Sequence, residues 1–133
     1  MAIADRNGLP VAISTHEAKT HEIKLIEKTL SRRFVRGRIK RIIADRTYYS
    51  DKADTQLRQR HIRLIVPHRS NRKSKPTQDG RKLRRYKNRW KVERFFAWIH
   101  NYRRCYVRYE YNDANFLAFV QIACIMIIMK KHF

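Results

Sequence analysis

The first half of the chain alternates short apolar runs with a segment of helical spacing and a capped helical stretch, which restricts it to a layered α/β fold. Met1 to Asp5 and Leu9 to Ser14 are mostly apolar and are separated by Arg6-Asn7-Gly8. Asn and Gly tolerate positive φ, so the pair predicts a β-hairpin, with Asp5 as a turn residue rather than a catalyst. From Thr20 the period changes: Ile23, Ile26 and Leu30 recur at helical spacing, with Leu25 alongside. Thr20 is suited to cap that helix and Glu22 to face its dipole. Ile39 to Ala44 reads as a strand ending at Asp45. Ser50 reads as the N-cap of a helix over Asp51 to Gln59, and Ile62 to Val66 as a second buried strand closed by Pro67. Hairpin, helix, strand, helix, strand is the order expected of a sheet with parallel members.

The second half is organised by charge. His68 to Asp79 is polar and reads as a mobile loop. Between Arg69 and Lys91 there are eleven Lys or Arg and one acid, Asp79, which makes this segment the electrostatic centre of the chain. A long helix is expected from about Lys82 to Arg104, then an irregular stretch over Tyr106 to Asn112, then a last helix from Asp113. That last helix is apolar nearly all round, so it is buried on several sides as a core element or covered by a partner. Its most apolar part, Phe116 to Met129, contains Gln121 and is shorter than a bilayer span, so no membrane is expected. The 133 residues give room for a single domain with one modest core.

With 32 Lys and Arg against 11 Asp and Glu, the net charge is +21. A field of that sign draws polyanions, and nucleic acid is the expected partner. Cys105 and Cys124 show no zinc spacing and no disulfide framework, so both are expected as reduced thiols, at least partly buried. The start does not have the basic-then-apolar order of a signal peptide. A cytosolic protein bound to nucleic acid is what these features favour.

Two acids stand apart. Asp45 ends a buried strand, where open α/β sheets place functional residues. Glu93 sits in a cationic and aromatic helix, and at helical spacing Tyr86, Arg89, Glu93 and His100 share one stripe. Val92, Phe95, Ile99 and Tyr102 occupy another face and are expected to pack on the sheet. Trp90 borders the polar stripe, and Trp98 reads as a core aromatic. Two carboxylates beside phosphate-binding cations could hold a divalent ion for phosphodiester chemistry. The structural alternatives stay open: Glu93 paired with Arg89 four residues earlier, and Asp45 as a strand-end turn residue.

Ala44-Asp45-Arg46-Thr47-Tyr48-Tyr49-Ser50 resembles the second-aspartate motif of insertion-sequence DDE transposases. Tyr86-x-x-Arg89-x-x-x-Glu93 resembles the Tyr-Arg-Glu-Lys signature around their final glutamate, and Tyr102-Arg-Arg and Arg108-Tyr-Glu follow in the family's order. The resemblance implies a ribonuclease-H-like mixed sheet with flanking helices and long C-terminal helices. It implies two Mg²⁺ (or Mn²⁺) ions, with Asp45 and Glu93 as catalytic and metal-binding acids, hydrolysis at the element ends and strand transfer to target DNA. Tyr86 and Arg89 would then contact DNA phosphate or a flipped base, and His100 stands where the signature has its Lys. The basic strip of Arg69, Arg72, Lys73, Lys75, Arg81, Lys82, Arg84, Arg85, Lys87 and Lys91 would track phosphates. The family's first aspartate lies upstream of the hairpin, so residues 1–133 read as a partial catalytic domain, truncated at the N-terminus and inactive alone. Two other functions stay open: a non-catalytic DNA-binding protein, with Tyr86 and Trp90 as stacking groups, and an inhibitor of a full-length transposase through mixed oligomers. Homo-oligomers, or association with a full-length transposase or an upstream fragment, are further partner expectations.

Overall fold

The computed structural model describes residues 1–16, 20, 22–68, 70–71, 73, 75 and 84–132, with the backbone alone for 22–24 and 132. Two units can be distinguished: Met1–Thr20 with Glu27–Val35 and Trp90–Phe133, and His21–Ile26 with Arg36–Arg89.

In the first unit, β1 (Ala2–Ala4) and β2 (Pro10–Ile13) pair antiparallel, with an irregularity between Ile3 and Ala4. Gly8 takes φ 83°, and the Asp5 carboxylate accepts from the Asn7 and Leu9 amides at 2.8 Å each. Asp5 therefore holds the turn, as expected. A side chain at Gly8 would also meet the Arg94 guanidinium, 2.9 Å from where a Cβ would lie. Ser14 and Thr29, both buried, share a 2.7 Å hydrogen bond that ties β2 to the second half of α1 (Glu22–Ser31).

The rest of this unit is helical. Helices α3 (Trp90–Ile99), α4 (Arg103–Tyr106) and α5 (Asp113–His132) follow in order. Phe95 and Ile99 project from α3 onto Ile13 of β2 and onto Val120, Ala123, Cys124 and Ile127 of α5, forming the core. Burial pushes the Cys124 thiol up to about 12, and both Cys124 and the half-buried Cys105 are free thiols. Trp98 and Tyr102 pack against the same cluster.

The second unit is a β-α-β crossover. Strands β3 (Arg41–Ile43) and β4 (Arg63–Ile65) are parallel and in register, Arg41 opposite Arg63 and Ile43 opposite Ile65. Helix α2 (Asp51–Gln59) connects them, and the Ser50 hydroxyl accepts from the Ala53 amide as its N-cap. Leu57, Ile62, Leu64, Ile65 and Val66 are buried where α2 lies against β4.

The mixed α/β class is borne out, and two other expectations change. The described strands form two two-stranded ladders, one antiparallel and one parallel, within a mixed α/β chain. The helix expected over Lys82 to Arg104 is instead a 3-10 segment over Arg84–Arg89, then α3, then α4. A 3-10 turn places residues three apart on one side, and Tyr86 and Arg89 use that spacing to reach a common partner. Tyr102 is extended, φ −96° and ψ 109°, which ends the run. Finally, α5 starts at Asp113 as expected but continues to His132, past the apolar stretch Phe116 to Met129 on which the bilayer length was judged. By length and composition Asp113–Lys131 could cross a bilayer, so length does not exclude it. One face of α5 nonetheless serves the core, while Ile122, Ile125, Met126 and Met129 are exposed.

Candidate nucleic-acid and catalytic site

The second unit positions Asp45 by its strand. The Ala44 amide donates to the Ile65 carbonyl, carrying the β3–β4 ladder one step past Ile43, and Asp45 follows at the carboxyl end of β3. Its backbone is extended, φ −73° and ψ 166°, and its carboxylate caps the 3-10 turn Arg46–Tyr48 through the Arg46 amide at 2.6 Å. The chain returns 41 residues later, and the Tyr86 hydroxyl donates to the same Oδ1 at 3.0 Å. The Arg89 guanidinium meets Oδ2 at 2.9 Å and lies 5.6 Å from the centre of the Tyr86 ring. Tyr86 and Arg89 thus close over one carboxylate from two sides.

These contacts set the charge state of Asp45. The Arg46 amide first, then the Tyr86 hydroxyl and the Arg89 guanidinium, hold its carboxyl below the usual aspartate range, against an opposing effect of burial second in size only to that of the Arg46 amide. Burial first, then the bond to Asp45, pushes the Tyr86 phenol up. The result is an ionised carboxylate held by two donors and a cation, which keeps positive charge beside a strand end. A phosphate group presents similar oxygens and competes for the same donors.

The other expected site residues distribute as follows. Glu93 is exposed on α3 and His100 on the turn after it, edge-on to the Tyr106 ring at 5.2 Å. Both belong to the first unit. The stripe that joined them to Tyr86 and Arg89 assumed one continuous α-helix, and the 3-10 segment breaks its phase. Lys73, Lys75, Arg84, Arg85 and Lys87 are exposed, and Lys91 is half-buried at the start of α3. Arg69, Arg72, Arg81 and Lys82, with most of the expected loop over 68–79, lie outside the described residues. Trp90 is 48% exposed, and Arg94 stacks between it and Trp98, 4.7 and 5.0 Å from the ring centres.

One residue was missed. His68 follows β4 as Asp45 follows β3; its ring packs edge-on against Tyr49 at 5.3 Å, and both ring nitrogens are buried without a hydrogen-bond partner. A histidine three residues past a buried parallel strand was the available signal.

Among the described residues, no three of His, Cys, Asp and Glu gather around a point that could hold a metal ion. Both Asp45 oxygens already have partners. In this arrangement the donor set does not fit a Mg²⁺ or Mn²⁺ ion.

Residues 1–128 match the family described as Transposase DDE domain. The chain is also similar to a putative transposase for insertion sequence element IS402 from Burkholderia cepacia, 32% identical over 133 aligned positions. That match covers 94% of this chain and 59% of the relative, so the chain spans about three-fifths of the relative's length. No solved structure matches.

Proposed function

The chain belongs to the transposase DDE family, and on that premise we propose that it is a DNA-binding part of the machinery that moves an insertion sequence. The observation that supports this best is the convergence of Tyr86 and Arg89 on Asp45. These are the residues that the sequence resemblance assigns to the second acid and to the signature preceding the last one. We assign Asp45 and Glu93 to the catalytic acids, and the ribonuclease-H-like sheet to the fold in which they act. The cytoplasm is the assigned location, because that is where chromosomal target DNA lies in a bacterium.

The residues present act by exchange. With no DNA bound, Arg89 and Tyr86 neutralise Asp45. An incoming phosphodiester takes over the guanidinium and the hydroxyl through charge-assisted hydrogen bonds, and the Asp45 carboxylate is released. Members of this family are generally metal-dependent. Because both Asp45 oxygens are occupied, the geometry supports no step through a metal. Exposed Lys73, Lys75, Arg84, Arg85 and Lys87 supply the nonspecific, salt-sensitive part of the affinity.

Fluorescence anisotropy with duplex DNA tests this reading. Affinity is expected to fall steeply with salt and to rise in Asp45→Asn, which breaks the ion pair with Arg89 and removes a repelling charge. Arg89→Gln is expected to weaken binding. Affinity indifferent to salt, or Asp45→Asn weaker than wild type, would overturn it. The non-catalytic reading is favoured by the saturation of Asp45, and plasmid nicking with Mn²⁺ separates the two: nicking lost in both Asp45→Asn and Glu93→Gln requires catalysis. The mixed-oligomer inhibitor is the weakest reading, because Val120, Ala123, Cys124 and Ile127 already face the core of their own unit.

A further inference from the structure

The β3–α2–β4 crossover separates its charges by end. Asp45 follows β3, and Asp51 and Asp54 stand in the first turn of α2, so these acids lie toward the carboxyl ends of the strands. At the opposite end, Arg41 opens β3 and Arg63 opens β4, directly across from each other in a parallel register. Parallel neighbours lie about 4.8 Å apart, and residues in register project to the same face of the ladder. Both arginines are exposed. The Arg63 amide donates to the Lys40 carbonyl at 3.0 Å, which extends the ladder into the preceding basic segment. Arg36, Arg38 and Lys40 of that segment are exposed, as is Arg60 at the turn into β4. No carboxylate among the described residues pairs with Arg41, Arg60 or Arg63.

Like charges so placed repel, and the fold offers no internal reason for them. The dipole at the C-terminus of α2 favours a cation in the last turn, but Arg58 fills that position and is paired with Asp54 at 2.8 Å. The strand pair Arg41 and Arg63 remains unaccounted for.

We propose that this end of the β3–β4 ladder, centred on Arg41 and Arg63, is a second phosphate-binding surface for duplex DNA, distinct from the cluster at Asp45. The proposal rests on the DNA-binding reading above. Four residues separate Arg41 from Asp45, which in an extended strand is about 13 Å. Phosphates along one strand of a duplex advance about 3.4 Å per base pair. A duplex lying along the ladder, with one phosphate at Tyr86 and Arg89, therefore brings the backbone roughly four base pairs farther on to Arg41 and Arg63. The ladder acts as a ruler between the acid end and its outer grip.

The test compares the salt dependence of duplex binding, by anisotropy, for wild type, Arg41→Gln/Arg63→Gln, Arg41→Lys/Arg63→Lys and Arg89→Gln, with thermal unfolding as the folding control. Losing two phosphate contacts makes the log–log salt slope shallower by about 1.8, and the double lysine variant keeps the wild-type slope. A wild-type slope in the folded Gln/Gln variant overturns the inference; if Arg89→Gln still lowers the slope, the Asp45 reading survives. No DNA binding by wild type overturns both. Loss of binding to phosphatidylserine vesicles in the Gln/Gln variant, with the DNA slope intact, would instead assign the surface to a membrane.

Discussion

The two units share the chain's charge unevenly. The unit of His21–Ile26 and Arg36–Arg89 holds 20 of the 32 Lys and Arg and 5 of the 11 acids, a net +15 out of +21. The unit containing the hairpin and α3 to α5 holds the remaining 12 and 6, a net +6, together with the Phe95 cluster. Apolar burial hardly responds to salt, whereas self-repulsion among exposed cations does. On the DNA-binding reading proposed above, the first unit is therefore the framework, held by apolar burial, and the second the recognition part that a polyanion would stabilise.

The sharpest way to break this contrast is to empty the core. Phe95 is fully buried between β2 and α5. Phe95→Ala is expected to cost about 3–5 kcal/mol, a large share of the roughly 5–15 kcal/mol that holds a typical domain. Urea unfolding followed by tryptophan fluorescence measures it, since Trp98 packs on that cluster. A loss near zero would mean that Phe95 does not organise the unit, and the assignment of framework would fail.

A smaller effect sharpens the other side. Ser50 caps α2 through the Ala53 amide at 3.3 Å. Ser50→Ala is expected to lower stability by about 1 kcal/mol and Ser50→Gly by only a few tenths. Saturating duplex DNA should offset the Ser50→Ala loss, because binding to the folded state raises its stability by mass action. A Ser50→Ala chain whose stability does not rise on adding DNA would detach the recognition unit from its proposed ligand.

What could be read from the sequence follows from how local the physics is. The Asn7-Gly8 turn, the Ser50 cap and the bounds of α2 are decided within a few residues, and the structure agrees with each. Asp45 at a strand end was legible for the same reason. The 3-10 conformation of Arg84–Arg89 was not, because it satisfies a partner 41 residues away. A run of good helix formers carries no sign of that contact. The start of α5 at Asp113 is read correctly; only its most apolar part, Phe116 to Met129, is shorter than a bilayer span, and Lys130 to His132 carry the helix past it. Glu93 was placed correctly on a helix, but the phase linking it to Tyr86 and Arg89 depended on a continuity that the chain does not have. Of the expected site residues, Asp45, Tyr86 and Arg89 are those that the structure brings together.

The smallest expected effect concerns that cluster and pH. Because the folded chain holds the Asp45 carboxyl below its ordinary range, folding favours the ionised form. Its contribution is complete above the ordinary aspartate value, about 3.9. It is lost as pH falls through the lower value of the folded state. Asp45 and Arg89 are both more than one-third exposed, so solvent screening limits their pair to about 0–1 kcal/mol. The Arg46 amide is the leading cause of the lowered value and Tyr86 the next, so removing Arg89 alone relaxes it only in part. Carboxyl NMR titration should show Asp45 shifted upward in Arg89→Gln, though still below an unperturbed aspartate, and shifted further in Tyr86→Phe/Arg89→Gln. An Asp45 titration unchanged in the double variant would mean that neither side chain holds the carboxylate in solution. The site would then lack the exchange by which a phosphate is proposed to displace them.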